Sequence, residues 1–347
     1  MRIANIMFSR GGGGIEQAAI DYAEGLRDLG HQVIAITAPN ALVNAGFSAL
    51  GIETHSLSNW GEWDIFAVRK LRKLLLELKI DVVIAHANRA FTLSRKAIKG
   101  KLPLVGVVQN YNTRRYSAAD FVFTTTHDLI KVLHEQEGIA RERIFHIPNM
   151  VACHGLPHRA ERSNPPVIGT MGRFVAKKGF DVYIDALQIL KHRGVAFRAV
   201  LGGGGAEEAS LKARAEAEGL GDRLSFLGWV LDKKAFYTGI DIFCLPSLHE
   251  PFGIVLLEAF THGTPVISTN SEGPRDIITP NYDALIVEMG SSTQLADALE
   301  RLIKEPKTAE ELAANAFAKV KTRYSLEVVC GQIETALNHI VIEYKKR

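Results

Sequence analysis

Two acids and two bases stand out by type and spacing. In LHEPFGIVLLEAF, Glu250 and Glu258 lie eight positions apart around a Pro-Phe-Gly turn signal and the apolar run Ile254, Val255, Leu256, Leu257. Glu250 follows the run IFCLPSL, so it sits just past the carboxyl end of a predicted strand. A helix then opens at Phe252-Gly253, and the free N–H groups and positive dipole end of such a helix can hold an anion. Glu258 falls one to two turns along it, among apolar residues. A carboxylate there is costly unless it accepts hydrogen bonds, which ligand hydroxyls or a nearby Lys or Arg would supply. Glu250 reads either as a ligand contact or as a solvated loop acid.

The bases lie in MGRFVAKKGF, directly after another predicted strand, with Arg173 and Lys178 five apart and Gly172 and Gly179 flanking. If this loop folds over a ligand, both cations converge on one anion, Arg as a bidentate fork and Lys as a point charge. The bland reading is a surface loop with solvated cations. A third element, SRGGGGIEQAA, puts Gly12 and Gly13 between a first strand and a first helix, where backbone N–H groups suit a phosphate or sugar contact. The dinucleotide fingerprint G-x-G-x-x-G/A is met neither there nor in LGGGG at 201–205, and the second strand ends in VIAITAPN with no acid for a ribose. The sequence also lacks a Walker A motif, His-Glu-x-x-His and Asp-x-Asp.

These residues need a scaffold that brings strand ends together. At 347 residues the chain is long enough for two domains, since one core rarely grows beyond roughly 250–300 residues. Short β-branched runs alternate with helical periodicity, first through RIANIMF, QVIAIT, DVVIAH, LPLVGVV and FVFTTT, then again through PVIGTMGR, FRAVLGG, LSFLG, IFCLPS, TPVIST and ALIVE. That alternation predicts βαβ units and parallel sheets. The fold class expected is α/β, two Rossmann-like doubly wound domains facing across a cleft, with ligands outside the carboxyl ends of the strands. The segment from Val151 to Pro166, with a glycine and three prolines, reads as the linker. The expected domains are therefore 1–163 and 164–325. Residues 326–347 form a closing helix packed back toward the first domain, with Val329, Ile333, Leu337 and Ile340 on one stripe.

Composition narrows the class further. With 47% hydrophobic and 23% charged residues the chain reads as globular, with no run of about 18 uncharged apolar residues to span a bilayer. The start MRIANIMFSRGGGG reads as a first strand rather than a signal peptide. Cys153, Cys244 and Cys330 are odd in number and widely spaced, which suggests neither disulfides nor a zinc site and fits a cytoplasmic protein. The net charge of +3 is too small to argue for nucleic acid. It is uneven: residues 1–163 carry 20 Lys+Arg against 15 Asp+Glu, and the remainder 21 against 23. Between Ile65 and Lys101 the cations greatly outnumber two acids, Glu77 and Asp81, and Trp60 and Trp63 lie just before them. Cations beside interfacial aromatics suit the anionic inner face of a cell membrane, where the protein would be peripheral, and equally a solvated helix face.

Four blocks, in order, resemble the retaining GT-B glycosyltransferases of the family 4 type over nearly the whole chain. GRFVAKKG resembles that family's GR-x4-KG, FLGW its FLG turn, and LPSLHEPFGIVLLEAFTHGTPVISTNSEGPRDII its E-x7-E block, while IFHIPNMV is similar to its IPNG segment with Met150 in place of Gly. The resemblance implies that Glu258 accepts from the nucleotide ribose and that Glu250 approaches the donor sugar. By the same resemblance the amides of Gly253, Ile254 and Val255 face the diphosphate, Arg173 and Lys178 neutralise it as it leaves, and Trp229-Val230 touches the base. His86 matches a common family histidine near the acceptor. Many members carry another after the strand matching LPLVGVV, where this chain has Gln109-Asn110, and Gln109 can bind a hydroxyl but cannot act as a base. Arg114, Arg115 and Tyr116 are candidates for a phosphorylated or glycan acceptor.

The activity implied is transfer of a sugar from a nucleotide-sugar, a UDP-sugar being the expected donor, to a glycan or lipid-linked acceptor in bacterial cell-surface polysaccharide or lipopolysaccharide synthesis. Stabilising the departing diphosphate with fixed cations and helix amides would replace a divalent metal, one such donor being worth about 2.7–4 kcal/mol. The rival readings are a non-hydrolysing nucleotide-sugar epimerase and a catalytically idle nucleotide-sugar-binding protein.

Overall fold

The computed structural model describes residues 1–153, 155 and 162–346. It contains two compact units, Met1–Met150 with Tyr324–Arg347, and Val151–Arg323. The division falls at 150/151 and not at 163/164, for a local reason. Asn149 and Met150 are buried, and the Asn149 side chain accepts a hydrogen bond from Gln109 at 2.7 Å. Ser163 and Val167 instead donate backbone N–H groups to Asp241 of the second unit, at 3.2 and 2.8 Å. Of the expected linker, residues 154 and 156–161 lie outside the described residues. The closing helix belongs with the first unit from Tyr324 onward.

In the first unit the strands are β1 (Arg2–Met7), β2 (Gln32–Thr37), β3 (Glu53–Ser56), β4 (Val82–His86), β5 (Leu104–Val108), β6 (Phe121–Thr124) and β7 (Ile144–His146). They form one sheet in the order β3-β2-β1-β4-β5-β6-β7, parallel throughout. The helices are α1 (Gly14–Asp28), α2 (Val43–Ala49), α3 (Ile65–Glu77), α4 (Ala87–Ile98), α5 (His127–Lys131) and, after the second unit, α13 (Leu326–Lys345). One face of the sheet carries α1, α2 and α13, whose Val329, Cys330, Ile333, Leu337 and Ile340 join the core of Ile3, Leu26, Val82 and Phe123. Each fully buried Leu or Ile there contributes about 1.5–3 kcal/mol. The other face carries α3 and α4 through Leu71, Leu75, Phe91 and Leu93. Buried on both sides, the central strands read as continuous apolar runs, as RIANIM and VVIAH do.

The second unit repeats the plan with β8 (Val167–Arg173), β9 (Arg198–Gly204), β10 (Leu224–Gly228), β11 (Ile242–Leu245), β12 (Val266–Thr269) and β13 (Leu285–Val287). Their order is β10-β9-β8-β11-β12-β13, again parallel. Its helices are α6 (Phe180–His192), α7 (Glu208–Ala217), α8 (Lys233–Thr238), α9 (Ile254–Thr261), α10 (Glu272–Ile277), α11 (Ser292–Lys304) and α12 (Pro306–Lys319). In both sheets the strand order reverses direction beside the first strand, between β1 and β4 and between β8 and β11. Ligands of doubly wound sheets enter the crevice beyond the carboxyl ends of those strands.

Candidate functional site

The helices that follow the four switch-point strands, α1, α4, α6 and α9, have no side-chain N-cap, a property they share with α2, α7, α10 and α12, while α3, α5, α8, α11 and α13 are capped by Asp64, Thr126, Asp232, Ser291 and Ser325. Their first-turn N–H groups are left without a side-chain acceptor. Gly253 caps α9 with φ 94°, a backbone conformation that a residue with a Cβ resists. The amides of Gly253, Ile254 and Val255 thus open the helix that begins next to Glu250.

Glu250 is not a solvated loop acid. It is buried, and its carboxylate forms an ion pair with Lys178, itself mostly buried, and accepts from Ser247 Oγ at 3.3 Å. Lys178 reaches it because Gly179 turns the chain at φ 64°, with a notional Cβ only 2.1 Å from the Pro246 carbonyl oxygen. The two loops are also stitched together by Leu248 and His249 N–H groups donating to Lys177 O at 2.9 and 3.1 Å. Glu272, at the start of α10, holds the other side. One carboxylate oxygen meets His249 Nδ1 at 2.9 Å and the other accepts from the Glu250 N–H at 3.1 Å. Burial raises the affinity of Glu272 for a proton, but the bonds from His249 and backbone amides outweigh it and hold the carboxyl below its ordinary range.

Glu258 has a separate set of partners. Lys233 Nζ lies 2.5 Å from Oε1, and the Tyr237 hydroxyl lies 3.1 Å from Oε2 and 3.0 Å from Val255 O. Both partners stand on α8, four residues apart. The pairing with a nearby lysine, open from sequence, is therefore present. Arg173 ends β8 with an exposed guanidinium that has no partner among the described residues. The glycines of LGGGG, which match no dinucleotide fingerprint, serve close approach. A Cβ on Gly203 would lie 1.8 Å from Gly172 O, one on Gly202 2.5 Å from Val230 Cγ2, and one on Gly204 3.2 Å from Trp229 Nε1. They let β8 and the Trp229-Val230 segment close onto the end of β9, with Trp229 largely exposed.

In the first unit the outcome is mixed. Gly12 and Gly13 are exposed between β1 and α1. Gln109 is buried and donates to Asn149, while Arg114 stands exposed at the start of a short 3-10 turn, Arg114–Ala118. His86 is enclosed: the residue has no exposed surface, its Nε2 lies 2.7 Å from Asn5 Oδ1, and its ring meets Tyr22 edge-on at 5.1 Å. Sequence reasoning did not single out Lys233, Tyr237, Ser247, His249 or Glu272. One signal was present, because Asp232 three residues before Ala235 marks a helix start that puts Lys233 and Tyr237 on one face.

Two family models match the chain, Glycosyltransferase Family 4 over residues 12–154 and Glycosyl transferases group 1 over residues 157–319. The lipopolysaccharide core biosynthesis glycosyltransferase LpsD of Rhizobium meliloti (strain 1021) is 34% identical over 270 residues, 75% of this chain and 76% of that protein. LpsE of the same organism is 34% identical over 174 residues, half of its length. A phosphatidyl-myo-inositol mannosyltransferase of Mycobacterium leprae is 28% identical across 92% of this chain and 91% of its own. In structure, Anabaena HepE in complex with UDP matches with a TM-score of 0.86 at 21% identity, over 98% of this chain and 100% of that one. The chain belongs to the group 1, family 4 glycosyltransferases, and its two Rossmann-like domains are those of the GT-B fold.

Burial lowers the basicity of His86 from an ordinary value near 6.5 to about 3. Because the unfolded chain takes up that proton first, the contribution of His86 to stability is whole above about pH 6.5 and declines as pH falls toward 3. In an NMR titration its ring proton shift, assigned by loss in His86→Gln, is expected to stay flat from pH 8 to about pH 5. An inflection near pH 6.5 would contradict the enclosed, neutral ring.

Proposed function

We propose that the protein is a retaining, metal-independent glycosyltransferase that moves a sugar from a UDP-sugar to a glycan or lipid-linked acceptor in bacterial cell-surface polysaccharide or lipopolysaccharide synthesis. One observation carries the reading: Lys178, Glu250 and the uncapped amino end of α9 stand together at the carboxyl ends of β8 and β11. The acceptor class is supported by the names of LpsD and LpsE, and the donor by the HepE structures, described with UDP and with UDP-glucose.

Breaking the sugar–phosphate bond places growing negative charge on the diphosphate. In the donor-free protein Lys178 is spent on Glu250. On binding, the diphosphate competes for that ammonium, Arg173 adds a second cation, and the first N–H groups of α9 add fixed dipoles, all of which strengthen as charge develops. Glu250, released from Lys178, then accepts hydrogen bonds from the sugar hydroxyls, and Glu258 accepts from the ribose. The acceptor hydroxyl attacks the face from which the phosphate leaves and gives its proton to the departing oxygen, so the anomeric configuration is retained and no glycosyl-enzyme forms.

Lys178→Ala and Glu258→Ala are each expected to cut turnover at least tenfold, about 1.4 kcal/mol, with an unchanged circular dichroism spectrum. EDTA should leave the wild-type rate intact. A thermal-shift screen of UDP-, GDP- and ADP-sugars selects the donor for these assays. Full activity in both variants, or loss of activity in EDTA, would overturn the assignment.

The same reading includes a membrane-facing surface on the first unit. Trp60, Trp63, Ile65 and Phe66 are 63–72% exposed, an unusual concentration of bare apolar side chains. Arg69, Lys70 and Lys73 are exposed along the following turns of α3, and Lys96 Nζ stands 3.9 Å over the Trp63 ring. Apolar insertion next to cations, each worth about 1 kcal/mol near an anionic surface, matches a leaflet that would present a lipid-linked acceptor. Among the described residues no helix is long and apolar enough to cross a membrane. Sedimentation with phosphatidylglycerol vesicles should be strong in low salt and weak with neutral vesicles. It should be abolished by Trp63→Ala with Phe66→Ala, and equal pelleting of that variant would remove this surface from the proposal.

A further inference from the structure

We infer that Lys233 and Tyr237 are positioning residues that hold the Glu258 carboxylate in the orientation required for a ribose diol, and so set the preference of the site for ribonucleotides over 2′-deoxyribonucleotides. This rests on the assignment of Glu258 to the nucleotide ribose and deepens it.

A carboxylate offers about four lone-pair positions, two on each oxygen. Lys233 occupies one on Oε1 at 2.5 Å, and the Tyr237 hydroxyl, whose single hydrogen is shared between Oε2 at 3.1 Å and Val255 O at 3.0 Å, faces one on Oε2. One acceptor position then remains on each oxygen, enough for the two neighbouring hydroxyls of a five-membered ring. A carboxylate held on one side only would rotate about its last bond and present this pair part of the time. The Glu258 side chain is 12% exposed, so it is enclosed by its holders yet still reachable.

The holders are themselves fixed. Burial, and then the charge of Glu258, push the Tyr237 phenol well above its ordinary value, so its oxygen keeps a hydrogen to donate. Its ring is stacked on His262 at 5.0 Å and packed edge-on against Phe236 and Phe243. His262 Nδ1 lies 2.8 Å from the Glu258 backbone carbonyl oxygen, so the ring stacked on Tyr237 also meets the main chain at Glu258. Lys233 is half exposed and flexible on its own, but Asp232 caps its helix through the Ala235 N–H at 2.9 Å and fixes where the lysine begins. A carboxylate approached from two positions of one helix, with an acceptor position left on each oxygen, suits the two hydroxyls of a diol.

The test is isothermal titration of the full-length protein with UDP and 2′-deoxy-UDP, and with the GDP and ADP pairs. The readout is the ratio of the two affinities, which a fraction of unfolded protein does not change. Wild type is expected to prefer the ribonucleotide by roughly tenfold or more, the value of one hydrogen bond to a charged acceptor. Lys233→Met and Tyr237→Phe should bring the ratio most of the way to one, while Lys234→Met, on the neighbouring position, should keep it. If Glu258→Gln abolishes the preference but both holder variants retain the wild-type ratio, the positioning inference is wrong and the ribose assignment stands. If Glu258→Gln itself retains the ratio, or no nucleotide binds, the ribose assignment fails and the inference with it.

Discussion

A buried carboxylate must have a partner, and the loops beyond β8 and β11 in the second unit are organised by how Glu250 finds one. Removing the partner of a buried ion costs about 3–5 kcal/mol, so the loop that carries Lys178 is tied to the loop that carries Glu250. Gly179 exists at that point because no side chain fits against the Pro246 carbonyl. The consequence is an ammonium held in place by a buried anion at the carboxyl ends of β8 and β11. Lys233 and Glu258 repeat the arrangement one helical stretch later. Two glutamates eight positions apart are thus each paired with a lysine.

The sheets explain why these loops meet at all. Strand order reverses between β8 and β11, so the chain leaving β8 toward α6 and the chain leaving β11 toward α9 diverge to opposite faces and leave their first turns side by side. Arg173 and Lys178 come from the first of these, Glu250 and the α9 amides from the second. The glycine-rich end of β9 serves the same purpose from the flank, removing the side chains that would hold Gly172 and Val230 away. The first unit uses the same reversal at β1 and β4, but there the strand end carries the enclosed His86.

Much of this was legible in the amino acids, because period and punctuation are local. Alternating apolar runs gave parallel α/β units, and the stripe from Val329 to Ile340 gave α13, which the structure begins at Leu326. Glycine before α9 and the acids on either side of its start marked the candidate site. What stayed hidden depends on distance in space. Nothing in HEPFG announces Lys178 as the partner of Glu250, seventy-two positions away, and nothing in IAHAN separates an enclosed histidine from an accessible one. The boundary at 150/151 was missed because Asn149 is anchored by Gln109 and Ser163 by Asp241, contacts that proline and charge content do not report.

The central claim is that the Lys178 ammonium, held by Glu250 in the free protein, is the group that the donor's diphosphate takes over. Calorimetric affinities of Lys178→Met for UDP and UMP decide it, since the two ligands differ only in the second phosphate. The account predicts that the substitution weakens UDP by roughly tenfold or more, as for loss of a charge-assisted bond, and leaves UMP nearly unchanged. Equal weakening of both ligands, or unchanged UDP affinity, would contradict it.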